Sequence, residues 1–431
     1  MAQRRSLLSF VFSLLTSNIP MARRFPGGHE WPATRFLYGT PIEHGAFGAE
    51  LAIPLWGGGA AAVRPGAELR AHQVIGADRN GLPVFCPCDG TVAAVEDFAE
   101  LAVRPQRRNI PRLTVRVKVR VQQGPPEPAF EPRPRFWELT RAELDQRLFA
   151  AGVLDLRGKE LPKAVVFDGL DPEPPLSTNL RLLLERPAEL IEGMRILVQA
   201  HGATAARLAV PARQRALYAK LRSLLASSVN LKAERVANVY PARHRAMLTH
   251  SLRFPADAAI YSMEDALRAR QAVVEGLPLV AQFCTVWDER GKQYRNLELP
   301  AGTTVAGALG GQSRNYDGHK LVLGGMLSGL AVHTADAPLE RGTAGVLLLD
   351  ASRPSPRAAC INCGSCLALC PARLAPIQIY RQSHDGRRDE LARLAPGSCV
   401  ACGLCSYICP ARLDLAQQVR VARAMLGEAA P

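Results

Sequence analysis

Eight of the chain's 11 cysteines fall into two copies of one pattern near its C-terminus. Each copy reads C-x2-C-x2-C-x3-C-P. The first uses Cys360, Cys363, Cys366 and Cys370 and closes on Pro371; the second uses Cys399, Cys402, Cys405 and Cys409 and closes on Pro410. No other feature restricts the fold as tightly. A cubane cluster needs four thiolates converging on its irons, and three at this spacing can wrap one cube from a single tight loop. Gly364 and Gly403 sit inside the loops, where close backbone approach or positive φ is needed. The fourth cysteine starts the next segment and points elsewhere. In the bacterial dicluster pattern it ligates the other cluster. The expected ligand sets are therefore Cys360, Cys363, Cys366 and Cys409 for one [4Fe–4S] cluster, and Cys399, Cys402, Cys405 and Cys370 for the other. The closing proline fixes φ and lacks an N–H, which turns the chain away.

Competing uses of the cysteines fit less well. Structural zinc uses paired knuckles rather than an unbroken run of this kind. Disulfides need an oxidising compartment and gain little from such short loops. Cys86, Cys88 and Cys284 read as ordinary buried or loop thiols, and the Cys86-Pro87-Cys88 spacing is too cramped to clamp a metal alone. Leu374, Ile377 and Tyr380 recur at helical spacing, as do Leu415, Val419, Ala422 and Leu426. These imply a small helical module packed around the clusters.

The 431 residues are enough for several domains, and 48% apolar content supplies a core without disulfides. The formal net charge of +14 permits an acidic protein, an anionic membrane or nucleic acid as partner. No lysine-rich block or nucleic-acid signature accompanies it, so nucleic acid is not an expected partner. Residues Leu7–Leu15 are apolar but far short of the about 20 residues that span a bilayer. They read either as a short helix lying on a membrane or as an extension ahead of a start at Met21.

Residues 47–97 alternate short apolar segments with Gly and Pro turns, ending in a turn at Asp89-Gly90 and a strand from Thr91 to Val95. This layout resembles biotinyl/lipoyl-like domains. Residues 51–100 contain no lysine, so no swinging arm can be attached there. "LTVRVKVRVQQ" at 113–123 alternates as a strand with a basic face, and a proline-rich linker follows. From about residue 137 helices and strands alternate. Thr140 with Glu143 caps one helix, "KAVVFDGL" is a buried strand, and Gly202 ends a second helix. Such alternation implies a mostly parallel sheet with crossover helices. Residues 279–311 read as strand, turn at Glu289–Gly291, strand and short helix, a β-grasp-like unit. Gly324, Gly325 and Gly329 follow as turn glycines.

This order of modules resembles the C subunit of the Rnf electron transport complex. "FPGGHEWP" (25–32) resembles that family's N-terminal signature, and "DGLDPEPPLSTNLRLLLERPAELIEGMRIL" (168–197) its flavoprotein core. The core is also related to the flavin subunit of respiratory complex I. The unit at 279–311 resembles the family's soluble-ligand-binding (SLBB) domain, and the cysteine arrays complete the likeness. The resemblance implies an α/β multidomain protein in five parts: an N-terminal extension (1–24), a lipoyl-like barrel-sandwich (25–135), a Rossmann-like core (136–275), a β-grasp SLBB-like domain (276–350) and an α-helical dicluster ferredoxin-type domain (351–431). It implies a peripheral subunit on the cytoplasmic face of the inner membrane. Other subunits of a redox complex are the implied partners, with ferredoxin or flavodoxin as carrier. In the family that subunit takes electrons from NADH through a flavin and passes them to two [4Fe–4S] clusters.

One departure stands out. The family's loop of the type G-x-G-G-A-G-F-P-T is here "AAGVLDLRGKELPKAVVF", with only Gly152 and Gly158 left and Asp155, Arg157, Lys159 and Glu160 in its place. The motif N-G-A-E-C-E-P is here "DGLDPEP" at 168–174, keeping Gly169, Glu173 and Pro174. Backbone N–H groups of a Gly-rich loop can cradle a flavin phosphate. Flavin and NADH binding are therefore expected to be weakened or absent, so that FMN is not an expected cofactor and no catalytic residue is assigned. The alternatives are an active FMN-dependent NADH:ferredoxin oxidoreductase subunit, or another redox module of this architecture such as a cobalamin or quinone reductase subunit.

Overall fold

The computed structural model describes residues 27–29, 39–100, 112–122, 127–173, 175–237, 239–311, 316, 318–350 and 356–427; the apolar run at 7–15 lies outside them. The expected alternation of helix and strand is present in the middle of the chain. Thr140 accepts the Glu143 N–H and the Glu143 carboxylate reaches back to the Thr140 N–H, a reciprocal cap on helix Arg141–Ala150. The strand Ala164–Asp168 is buried along its whole length. Helix Pro187–His201 begins on proline and stops at Gly202, which turns left-handed at φ 57°.

Four parallel strands form one sheet in the order Leu231–Val236, Ala205–Pro211, Ala164–Asp168, Ala259–Ser262. The earliest strand in the chain lies inside, so connections leave it toward both edges. That reversal opens a crevice at the carboxyl end of Ala164–Asp168, the usual place for a ligand in such sheets. One face packs Phe167, Leu197 and Leu208. The other packs Val166, Val236 and Leu248.

The N-terminal part is two small antiparallel sheets. One joins Glu50–Leu55, Arg112–Gln122, Asp89–Glu100 and Glu68–Leu69; the other joins Ala60–Ala61, Val74–Ala77 and Pro83–Phe85. Val117 and Val119 point into their shared core, while Lys118 and Arg116 pair with Glu96 on the opposite face at 3.1 and 2.5 Å. The turn expected at Asp89-Gly90 falls earlier, at Pro87 and Cys88, and Asp89 already begins the strand. Gly90 is a strand residue there: a Cβ on it would lie 2.4 Å from the Arg120 carbonyl of the neighbouring strand.

A six-stranded mixed sheet contains the hairpin Ala281–Asp288/Gln293–Pro300, turning at 289–292, followed by helix Val305–Ala308. Its outer strand, Ile42–His44, comes from far upstream and pairs in parallel with Asn296–Glu298. The C-terminal module is helical, with Pro376–His384 against Leu415–Met425 around Ile379, Leu391, Val419 and Ala422. Among the described residues no helix is long and apolar enough to cross a membrane.

Helices Pro187–His201 and Met263–Arg270 meet at Gly193, where an added Cβ would sit 1.8 Å from the Ala266 carbonyl oxygen. The obstacle is backbone, so the helices themselves must part. Gly193→Ala is expected to destabilise the α/β region by about 2–3 kcal/mol despite its better helix propensity. A urea melt followed by far-UV circular dichroism checks this, and a midpoint at or above wild type would refute it.

Candidate functional site

The two cysteine arrays start 39 positions apart, at Cys360 and Cys399, and their backbones repeat at that offset. Asn362 and Ala401 are left-handed at φ 54° and 52°, Gly364 and Gly403 at 73° and 78°, and Arg373 and Arg412 both at 55°. Three non-consecutive left-handed residues curl each loop so that its N–H groups face inward. The Asn362 N–H donates to Cys360 Sγ and the Ala401 N–H to Cys399 Sγ, both at 3.4 Å. The Leu374 N–H donates to Cys370 Sγ at 3.3 Å. N–H···S contacts of this kind stabilise a thiolate and suit a cluster ligand.

The structure places the cysteines in two groups that cross the sequence order. A cavity of about 230 Å³ is lined by Cys360, Cys363, Cys366 and Cys409, with Ile361, Leu367 and Ile377 as apolar walls. Cys370 lies near Cys399, Cys402 and Cys405 instead, close enough to act on their charges. Four sulfurs around a cavity of that size fit a [4Fe–4S] cluster. Among the described residues no three His, Cys, Asp or Glu side chains are grouped so that they could hold a single metal ion.

The two groups differ in exposure. Cys363 is exposed, and the Ser365 hydroxyl beside it holds its thiol below the usual range. Burial pushes the Cys402 and Cys405 thiols up to about 12. The second group is half-buried throughout, because it abuts the rest of the protein. The Tyr240 hydroxyl donates to the Cys402 carbonyl at 2.7 Å, and burial raises its phenol so that the proton stays on. Gly403 rests against Leu327 of the turn 324–329, and Val400 packs against the outer face of the parallel sheet.

Residues 27–29 of the N-terminal signature strap the same module. The Gly28 N–H bonds to the Leu369 carbonyl at 3.0 Å, and His29 exchanges backbone hydrogen bonds with Tyr240 at 3.0 and 2.9 Å. Gly27 turns at φ 74° with no room for a Cβ against the Cys370 carbonyl. Sequence reading marked this segment without a role and passed over Tyr240. Nothing local in "NVYPAR" signals that its tyrosine meets a cysteine 162 positions later.

At the crevice, the acidic residues of 168–173 are engaged by the fold. Asp168 pairs with Arg243 and also accepts the Leu170 N–H. Asp171 accepts the Leu180 N–H at 3.3 Å in the first turn of helix Thr178–Glu185. Glu173 accepts from the Leu327 N–H, the Ser328 N–H and the Ser328 hydroxyl, filling the space a side chain at Gly325 would need. In the loop 151–163, Gly152 is needed for packing, since a Cβ there would lie 2.5 Å from the Pro83 carbonyl. Arg157 stacks on Phe149 and pairs with Asp155 at 3.0 Å, and Lys159 donates to the Asp155 carbonyl at 2.6 Å. Arg157 and Lys159 thus have partners within the loop and the preceding helix. Between Gly152 and Lys163 the loop has one further glycine, Gly158.

Comparisons with known proteins place both regions. The model of the 4Fe-4S dicluster domain matches residues 359–413, and that of the Nuo51 FMN-binding domain matches 151–255. The chain is 29% identical over 341 residues to the C subunit of the ion-translocating oxidoreductase complex of Rhodobacter capsulatus, covering 72% of this chain and 64% of that protein. It is 26% identical over 390 residues to the protein of the same name from Erwinia tasmaniensis, covering 82% and 47%. It is 24% identical over 292 residues to the C subunit of the Na(+)-translocating ferredoxin:NAD(+) oxidoreductase complex of Acetobacterium woodii, covering 61% and 66%. The chain spans less than two thirds of the length of each of these relatives. Fold and matches together define a mixed α/β protein with a Nuo51-like flavin-binding domain and a C-terminal dicluster ferredoxin domain. The chain is an RnfC-like protein. The match to an FMN-binding domain does not support the expectation that FMN is absent.

Burial lifts the Asp171 carboxyl to about 7. An unfolded aspartate titrates near about 4, so between these values the folded chain holds a proton that the unfolded chain has released. Stability from this group is therefore greatest at low pH and falls as pH rises from about 4 to 7. Asp171→Asn keeps the acceptor for Leu180 and removes the titration. Urea midpoints at about pH 5 and about pH 8 should show the variant gaining on wild type at the higher pH. A gap that does not change with pH would refute this.

Proposed function

We propose that this chain is an electron-transfer iron–sulfur subunit of a membrane-associated redox complex of the ferredoxin:NAD oxidoreductase type, peripheral on its cytoplasmic face. The observation that carries the reading is the crossed grouping of eight cysteines, with Cys409 beside the first array and Cys370 beside the second. Two [4Fe–4S] clusters held there would supply one-electron storage and relay. The protein's own part is positional. The left-handed loops aim N–H groups at Sγ atoms, Pro371 and Pro410 turn the chain away, and Tyr240 with the strap at 27–29 fixes the second array against the α/β core.

Exposure assigns directions to the two groups. The second faces the crevice of the parallel sheet, where a flavin would lie. The first opens outward, with Ile361 68% and Leu367 43% exposed beside its cavity. Arg357, Arg381 and Arg412 are exposed around it. An apolar centre with a basic rim suits an acidic one-electron carrier of the ferredoxin or flavodoxin kind. The N-terminal sheets read as a lipoyl-like module without a carrier lysine, and the six-stranded sheet as the SLBB-like unit, with domain limits near 25–135, 136–275, 276–350 and 351–431.

Loss of the flavin site is part of this reading and draws on the loop 155–160. The match to an FMN-binding domain favours the second reading, an FMN-dependent NADH:ferredoxin oxidoreductase subunit. Iron, sulfide and flavin content of anaerobically purified protein separates them. About eight iron and eight sulfide without flavin is expected; stoichiometric FMN with NADH-driven reduction selects the second reading, and zinc or iron for one cube overturns both. Cys370→Ala should remove the EPR signal of the cluster held by Cys399, Cys402 and Cys405 and spare the other, whereas loss of the first array's signal alone would refute the crossed sets. Electron transfer with an acidic ferredoxin should slow by about tenfold or more as salt rises toward about 1 M, where screening acts within about 3 Å. A salt-independent rate would remove the basic rim from the docking site.

A further inference from the structure

The two arrays repeat in backbone but not in the charge beside them. Helix Leu415–Met425 carries Arg423, which is 6% exposed. Its Nη1 donates to the Cys399 carbonyl at 3.3 Å. Cys399 is half-buried and packs with Ile379, Leu391, Val419 and Ala422, so the guanidinium lies beside this ligand in a largely apolar setting. The position that matches Arg423 in the first repeat is 384, 39 residues earlier, where an exposed His384 leans on Tyr380. The position that matches Arg420 is Arg381, and both are exposed. Arg381 reaches the first array only through Asn362 Oδ1, at 2.7 Å. Among the described residues, the second array therefore has a cation out of water and the first has only cations in it.

The geometry points to Arg423 as the residue that sets the reduction potential of the cluster held by Cys399, Cys402, Cys405 and Cys370. This rests on the two-cluster reading above. A cubane with four thiolates is anionic, and it gains one further negative charge on reduction. A fixed cation beside it favours the reduced form more than the oxidised form and so raises the potential. The effect is large where the dielectric is low and small where solvent screens it. Arg423 satisfies the first condition, and Arg420 and Arg381 satisfy the second. Arg423 is a positioning residue for charge, since it acts from the ligand's backbone carbonyl.

The test is a redox titration of anaerobic full-length protein followed by EPR, with iron content measured on the same samples. Arg423→Gln is expected to lower the reduced-to-oxidised ratio of the second cluster at least tenfold at a fixed potential, a shift of about 59 mV for one electron. Arg423→Lys should hold the midpoint near wild type, and Arg420→Gln should move it far less. An unchanged midpoint in R423Q with full iron content overturns the proposal, and so does an R420Q shift as large as that of R423Q. Where R423Q fails to hold the second cluster, R423K decides: a retained cluster at the wild-type midpoint assigns the role to charge, while its loss or a tenfold fall assigns it to guanidinium shape and overturns the proposal. Wild-type protein without iron for two clusters would instead end the two-cluster reading, so the two failures are distinct.

Discussion

Everything in this structure turns on two short loops having to lend each other a sulfur. Cys360, Cys363 and Cys366 line one cavity together with a cysteine from the start of the segment after the other array. Cys409 stands in the wall built by Cys360, Cys363 and Cys366, and Cys370 stands near Cys399, Cys402 and Cys405. Each half thus has a cysteine of the other array beside it. The left-handed residues at matching places in each loop are conformationally costly at the first and third places, where none is glycine. They persist because the loops must turn their N–H groups onto sulfur.

The second constraint is that the module be held against something. Tyr240 on Cys402, Gly28 on Leu369 and Leu327 on Gly403 are contacts from three distant parts of the chain, and all of them reach the cysteine loops or the segment just ahead of Cys370. They half-bury the second array, whereas Cys363 of the first is exposed. One fold thus creates an inner and an outer centre from nearly identical loops. Glu173 belongs to the same device: it caps the turn that carries Leu327, so the end of the flavin-type motif is coupled to the second array through a single turn.

Much of the secondary structure could be read along the chain. The reciprocal cap at Thr140 and Glu143, the stop at Gly202, the buried strand at 164–168 and the hairpin turn near 289–291 are local, and each depends on residues within a few positions of one another. The turn misplaced at Asp89-Gly90 shows the limit of that method. A Gly after an Asp signals a turn locally, but Gly90 is required by the approach of Arg120 from a strand about thirty positions away. The strand Ile42–His44 is another case, since its partner at 296–298 lies about 250 residues on and three residues carry no usable period.

The sequence alone determined the chemistry: the number of thiolates, their spacing and the prolines that end each array are covalent facts, and cluster geometry leaves few ways to satisfy them. Tertiary structure decided which centre lies against the rest of the chain, that a guanidinium shares the inner one's apolar surroundings, and that Asp155, Arg157 and Lys159 of the loop 151–163 are spent on one another and on Phe149. Those outcomes depend on distances between residues far apart in the chain. Burial and dielectric are properties of the packed whole, and no local pattern encodes them.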